Sequence, residues 1–189
     1  VDVNEYIYLN AGLAVCNVGH SHPRVVQAIK DQAEKFIHYS YTDFYYENYV
    51  DLGETLHDLI PGDFENKFFF GNSGAESVEA AIKLSRWYSR RQGLLAYLGA
   101  FHGRTLGAVS LTASKPAQRR YFAPLIPGVE HIFYPYFYRC PFNLEYPGCG
   151  YRCVSYLDDY LFHKFVPPEE VAMILVEPIQ GEGGLRCPA

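Results

Sequence analysis

Three short stretches carry side chains whose types and spacing suit chemistry on a small charged molecule. In Phe70-Gly71-Asn72-Ser73-Gly74-Ala75-Glu76, Ser73 and Glu76 stand in the Ser-x-x-Glu relation of a helix capping box. A helix starting there presents unpaired backbone N–H groups at its positive end, and Gly74 and Ala75 have almost no side chain to obstruct an anion. This is either a phosphate cradle or a plain capped helix. Neither G-x-G-x-x-G nor G-x-x-x-x-G-K-[ST] occurs, which argues against a dinucleotide or a P-loop nucleotide. In Gly99-Ala100-Phe101-His102-Gly103-Arg104-Thr105, the ring of Phe101 can lie against a planar heteroaromatic, and Arg104 can fork onto a carboxylate. His102 is a proton carrier or a packed histidine, and Arg104 an anchor or a solvated charge. In Glu177-Pro178-Ile179-Gln180-Gly181-Glu182-Gly183-Gly184, two carboxylates on a glycine-rich turn suit pairing with a cationic substrate or a mobile arginine, or are simply solvated.

These stretches need elements to hold them. Tyr6 to Leu9 reads as a short strand, followed by a loop to His22. Pro23 opens a helix whose Val26, Ile29, Ala33 and Phe36 or Ile37 recur at helical spacing. A second amphipathic helix covers about Tyr46 to Ile60 and stops at Pro61-Gly62. From Lys67 the pattern alternates: strand to Phe70, helix over Ala75 to Arg91, strands at Leu94 to Leu98 and Val129 to Tyr134, helix over Val154 to Phe165. Ala172 to Val176 is an uninterrupted apolar run of the kind buried on both sheet faces. Alternation of this sort predicts an α/β fold with a mainly parallel sheet, which binds ligands at the carboxyl ends of its strands. All three chemistry-bearing stretches fall at such ends.

Composition narrows the partners. The 189 residues carry 16 Lys+Arg against 21 Asp+Glu, a net charge of −5 without like-charge runs, so no electrostatic footprint for nucleic acid or anionic lipid exists. No apolar stretch approaches the roughly 20 residues of a membrane span. Residue 1 is Val and no leader pattern follows it, so the chain reads as an internal cut. The odd count of 5 Cys does not suggest a secreted disulfide framework, which points to a reducing cytoplasm. Cys140, Cys149 and Cys153, with His163, offer four ligands for zinc, but without the C-x-x-C spacing the alternative is a loop with free thiols. The 17 Tyr and 13 Phe, dense at 39–49 and 134–160, suit an interface as well as a core.

Taken in order, Phe70 to Leu84, Phe101-His102-Gly103-Arg104-Thr105 and Glu177 to Gly184 resemble the class III pyridoxal-phosphate aminotransferases, which include 4-aminobutyrate, ornithine and acetylornithine aminotransferases. Val18-Gly19-His20-Ser21-His22-Pro23 is similar to that family's amino-terminal loop, so the likeness covers nearly the whole chain. The resemblance implies a fold-type I pyridoxal-phosphate transferase, here a truncated large domain. Residues 1–45 would be an amino-terminal segment and residues 46–189 the cofactor-binding large domain, lacking its carboxyl-terminal part. It implies that Ser73, Gly74 and Ala75 hold the cofactor phosphate, that Phe101 stacks on the pyridine ring with His102 beside it, and that Glu177 lies near cofactor and substrate amine. Arg104 matches the arginine for a substrate carboxylate, Leu13 a substrate-side apolar residue, and Glu182 the partner of a switchable arginine later in the family chain. Tyr8 stands where the family commonly has an acid.

By the same resemblance the Schiff-base lysine, the aspartate that keeps the ring nitrogen protonated, and a phosphate-contacting threonine from the partner subunit lie beyond residue 189. The chain alone is thus expected to be inactive, and its last strand to leave an exposed edge. The implied activity is amino-group transfer from an ω-amino or basic amino acid to 2-oxoglutarate by a cytoplasmic homodimer. An amino-acid racemase or epimerase on the same cofactor, and a non-catalytic phosphate-ligand module, are the rivals.

Overall fold

The computed structural model describes residues 3–188; Val1, with the reading of the amino terminus made on it, lies outside them. The chain divides into two compact units meeting at Phe68 and Phe69, so the helix at 47–59 belongs to the first unit, whereas the sequence reading joined residues from 46 onward to the second.

In the first unit, helix α1 (Pro23–Lys35) begins with Pro at its first position, where the missing N–H costs nothing. Helix α2 (Glu47–Leu59) follows, and Asn48 Nδ2 donates to Gln32 Oε1 at 3.0 Å, tying the two helices together. Between them the rings of Tyr41 and Tyr49 stack at 3.7 Å, and Tyr46 packs edge-on to Phe36 at 5.5 Å. No described residue of this unit is fully buried. Tyr6–Leu9 forms no strand. Instead Asn10 caps a left-handed turn at Ala11–Ala14 by accepting from Leu13 N at 2.8 Å, and the Tyr8 hydroxyl accepts from Gly12 N at 2.6 Å. Tyr8 also stacks on His20, which gives this residue a local structural role.

The second unit holds the core. Strand β1 (Gly93–Tyr97) lies between β2 (Val129–Ile132) and β3 (Val171–Leu175), parallel to both. Its alternation sends side chains to two separate clusters. Leu94 and Ala96 pack with Ile82 of helix α3 (Gly74–Ser89) and Leu111 of helix α4 (Leu106–Leu111). Leu95 packs on the other face with Ile132 and Leu157. Leu157 belongs to a helical run made of α5 (Arg152–Tyr156), a π-helical stretch (Leu157–Leu161) and a last turn (Phe162–Lys164). Helices thus cover both faces, as the alternation predicts.

One further strand expectation needs correction. Lys67–Phe70 forms no strand, because the described sheet comprises β2, β1 and β3 alone. The apolar run near 172–176 forms β3 and is the exposed edge expected of the last strand, so within the described sheet the strand buried on both faces is β1. In the described sheet β3 has one neighbour, and Ile174 stays 46% exposed while Leu94, Leu95 and Ala96 are at 0%. Burial is decided by neighbours as well as by composition.

Leu95→Ala should lower stability by about 2–5 kcal/mol, through lost burial and an unfilled cavity, whereas Ile174→Ala should cost well under half as much. Urea unfolding of both variants checks the contrast; equal losses would mean that β1 is not the centre of the core.

Candidate functional site

The cleft forms where the chain leaves β1 and where α3 begins. Ser73 caps α3, accepting from Glu76 N at 3.2 Å, while the Glu76 carboxylate reaches back to Asn72 N at 2.5 Å. The reciprocal cap is present, with its return arm on the residue before the capping serine. Gly74 N–H and Ala75 N–H have no hydrogen-bond partner among the described residues. A Cβ built on Gly74 would meet nothing within 4 Å, so the space in front of this helix start is open.

Facing it is the loop after β1. Gly103 has φ +127°, and a Cβ there would stand 2.9 Å from Ala75 Cβ, so glycine alone allows the loop to lie this close to the helix start. Thr112, fully buried, accepts from His102 N at 2.9 Å and donates to Gly103 O at 3.1 Å. The result is a cleft of about 660 Å³ lined by Ser73, Gly74, Ala75, Phe101, His102 and Arg104, with Val78, Gly103 and Thr105. Two stretches about thirty residues apart in sequence therefore share one space, which holds six of the residues singled out from sequence.

The electrostatics of the cleft are uneven. His102 is 9% exposed, and its Nε2 is buried without a partner among the described residues. Burial, and secondly nearby His131, push its pKa from 6.5 down to about 4, so the imidazole is neutral at pH 7. A neutral ring with an unmatched nitrogen is suited to meeting a hydrogen-bonding ligand. The Arg104 side chain is exposed, and its guanidinium has no hydrogen-bond or ion-pair partner among the described residues. Phe101 has no aromatic neighbour among them, which leaves its ring available for stacking.

The third stretch joins through its backbone and one carboxylate. Glu177 Oε2 accepts from Phe101 N at 3.3 Å. Burial raises the Glu177 pKa, partly offset by hydrogen bonds from the backbone N–H groups of Phe101 and Gly181, while Glu182 adds to the rise. Gln180, fully buried, donates from Nε2 to Leu98 O at 3.0 Å, and its backbone pairs with Arg186. The Tyr134 hydroxyl lies 3.1 Å from the carbonyl oxygens of both Glu177 and Pro178. Glu182 turns outward: Lys115 Nζ pairs with it at 2.7 Å, and that cation lowers its pKa. Leu13 lies in the first unit, 80% exposed in the left-handed turn.

Gln180, Tyr134, Thr112 and Glu79 were not assigned roles from sequence. Gln180, Tyr134 and Glu79 act on segments far along the chain, and Thr112 reaches back nine or ten residues across its own helix, so no local spacing marks any of them. Elsewhere, Cys140, Cys149 and Cys153 line a small apolar cavity of about 20 Å³ with Tyr136, Phe137 and Tyr151, and all three thiols are free. No group of three or more His, Cys, Asp or Glu side chains suited to a metal ion occurs among the described residues. No helix there is long and apolar enough to cross a membrane.

Residues 1–189 match the family model for class-III aminotransferases. The chain is 41% identical over 189 residues to an isoleucine 2-epimerase of Lentilactobacillus buchneri, covering 98% of this chain and 41% of that protein. It is 38% identical to a probable 4-aminobutyrate aminotransferase of Bacillus subtilis, covering 100% of this chain and 43% of that protein. The fold matches an (S)-enantioselective omega-transaminase from Thermomicrobium roseum with a TM-score of 0.85 and 31% identity, over 97% of this chain and 42% of that structure. The chain therefore spans about two fifths of the length of the proteins it matches.

The depressed His102 pKa has a testable sign. As pH falls below 6.5 the unfolded chain takes the proton first, so the stability that His102 contributes is full above 6.5 and is lost on approach to about 4. His102→Gln should flatten the fall of the urea midpoint across that window, leaving the smaller slope from His131, whose pKa burial and Arg119 also lower. Identical slopes in both proteins would show that His102 is not held neutral.

Proposed function

The chain belongs to the class-III aminotransferase family, and on that premise we propose that it acts, as part of a longer enzyme, in transferring an amino group from an ω-amino or basic amino acid to 2-oxoglutarate. Pyridoxal phosphate is the cofactor of this family. The observation that carries the reading is the single cleft joining an open helix start, an available aromatic ring, a buried unmatched imidazole nitrogen and an unpaired guanidinium. Those features fit the cofactor's phosphate, ring and polar edge.

In this reading Ser73 and the backbone N–H groups of Gly74 and Ala75 hold the phosphate, the helix start supplying fixed positive potential. Phe101 presents its face to the pyridine ring. His102, neutral and buried, offers one hydrogen-bonding nitrogen beside it without adding charge. When bound, the cofactor would supply an electron sink that weakens the bonds at the carbon bearing the transferred amine. Glu177 orders Phe101 through the backbone and places a carboxylate of raised pKa near the substrate amine. Arg104 binds the donor's carboxylate bidentately, and Glu182 is the carboxylate that a mobile arginine can occupy. We also assign the enzyme to the cytoplasm and to a homodimer with its sites at the subunit boundary, Leu13 serving the substrate side.

A second reading is favoured by the likeness to the isoleucine 2-epimerase: proton removal and return without nitrogen transfer. Full-length protein incubated with candidate donors separates the two. Stoichiometric consumption of 2-oxoglutarate supports amino transfer, whereas inversion of the donor without consumption supports the epimerase.

Arg104→Lys keeps the charge and loses the fork. In the full-length enzyme it should lower kcat/KM for carboxylate-bearing donors by roughly ten- to a hundred-fold, at about 1.4 kcal/mol per decade, and affect simple amines far less. Equal losses for both donor kinds would remove Arg104 from the anchor role. No lysine lines the cleft among the described residues, so residues 1–189 alone should not transaminate. Borohydride reduction with pyridoxal phosphate and peptide mapping should then show no single stoichiometrically labelled lysine; a unique label accompanied by turnover would overturn this.

A further inference from the structure

We propose that Glu79 is the positioning residue that sets Arg104 for substrate-carboxylate selection, an inference that rests on the assignment of Arg104 to that carboxylate. Glu79 lies on α3 beyond its first turn, where it cannot cap its own helix. Its Oε1 instead accepts from the Thr105 hydroxyl, from Gly107 N at 3.0 Å and from Ala108 N at 3.2 Å. Thr105 is the capping residue of α4, yet its own hydroxyl stands 3.4 Å from Ala108 N, so the stronger cap comes from another helix.

Two glycines make the contact possible. A Cβ on Gly107 would stand 2.3 Å from Glu79 Oε2, so any side chain there would expel the carboxylate. On the other side of Arg104, Gly103 seats the loop on Ala75 at the start of the same helix. Arg104 is therefore bracketed by one neighbour wedged against α3 and another fastened to α3 by Glu79. Its guanidinium has no partner of its own among the described residues, so its backbone alone sets where the side chain starts. Releasing Thr105, Gly107 and Ala108 would free that backbone on one side while leaving the Ser73–Ala75 cradle in place.

Glu79 does not line the cleft, so its effect on ligands must pass through Arg104 and its neighbours. The cofactor phosphate is then predicted to be insensitive to its loss, and the carboxylate sensitive. A residue serving only stability would change neither affinity in the folded protein.

The test uses the full-length holoenzyme with Glu79→Ala, Glu79→Gln and Thr105→Val, the last removing one of the three bonds to Glu79 together with Thr105's own long bond from Ala108 N. Glutarate is the carboxylate probe, and its dissociation constant is measured by calorimetry beside that of pyridoxal phosphate. Glu79→Ala should weaken glutarate by about ten-fold, the scale on which small misplacement of a binding group is felt, with pyridoxal phosphate within about two-fold. Glu79→Gln keeps an acceptor oxygen and should restore part of the loss. Thr105→Val should fall between Glu79→Gln and wild type, which keeps the inference testable if Glu79→Ala does not fold. Hydrogen exchange should quicken at Gly107 and Ala108 in step with the loss of glutarate affinity. Unchanged glutarate affinity with quickened exchange, or equal weakening of glutarate and cofactor, overturns the proposal. If the wild type transaminates no donor but binds glutarate through Arg104, and Glu79→Ala weakens that binding, the functional reading fails while Glu79 keeps its role.

Discussion

Strand β1 can exist only if it is enclosed. With Leu94, Leu95 and Ala96 at 0% exposure, its backbone groups must find partners on both sides and its two faces must each be covered. Parallel neighbours supply the first requirement, and α3 with α4 on one face and the 152–164 run on the other supply the second. The consequence is directional. Such a strand ends abruptly at the sheet's carboxyl edge, and Leu98 to Thr105 must leave it there. Leu98 O is taken by the buried Gln180 side chain, which draws the turn after β3 to the same edge. The convergence of the chemistry-bearing stretches thus follows from the burial of three consecutive residues of one strand.

What the sequence disclosed and what it withheld differ in a physical way. Helix α3 was legible because its cap, its apolar spacing and its glycine-containing start are all local, and it was expected from Ala75 and found from Gly74. Phe101, His102 and Arg104 were legible because they follow a strand directly, and their neighbourhood with Ser73 to Ala75 follows from parallel topology. Tyr6–Leu9 and Lys67–Phe70 misled because a short aromatic and apolar run suits a strand by composition, whereas a ladder also needs a partner. The apolar run ending in Val176 was legible as strand β3, and Ile174 keeps the exposure expected of the last strand because it has no neighbour on its outer side in the described sheet. Glu79 was invisible because its three donors lie 26 to 29 residues away, on a helix whose own cap looks sufficient in sequence.

The charges around the cleft are graded by depth. His102 is buried and neutral, Glu177 is half-buried with its pKa raised, and Arg104 is exposed and unpaired. A cationic imidazole in this cleft would compete with Arg104 for an anionic ligand; the low His102 pKa removes that competitor. Glu177 spends one oxygen on Phe101 N, which stabilises its charged form against the burial that opposes it. Its position is thereby coupled to that of the aromatic ring.

Glu182 shows how weak a competing contact can be and still matter. Its pair with Lys115 joins side chains 58% and 40% exposed, a setting in which water screens the charges and ion pairs contribute little. A guanidinium that forks onto the same carboxylate needs to exceed only that small amount, and a planar fork does so more readily than an ammonium. Lys115 then acts as a placeholder: it keeps Glu182 charged, since the cation lowers its pKa, and yields it at little cost. A carboxylate held by a buried partner could not be exchanged this way, so the exposed setting of both side chains is what keeps the exchange cheap.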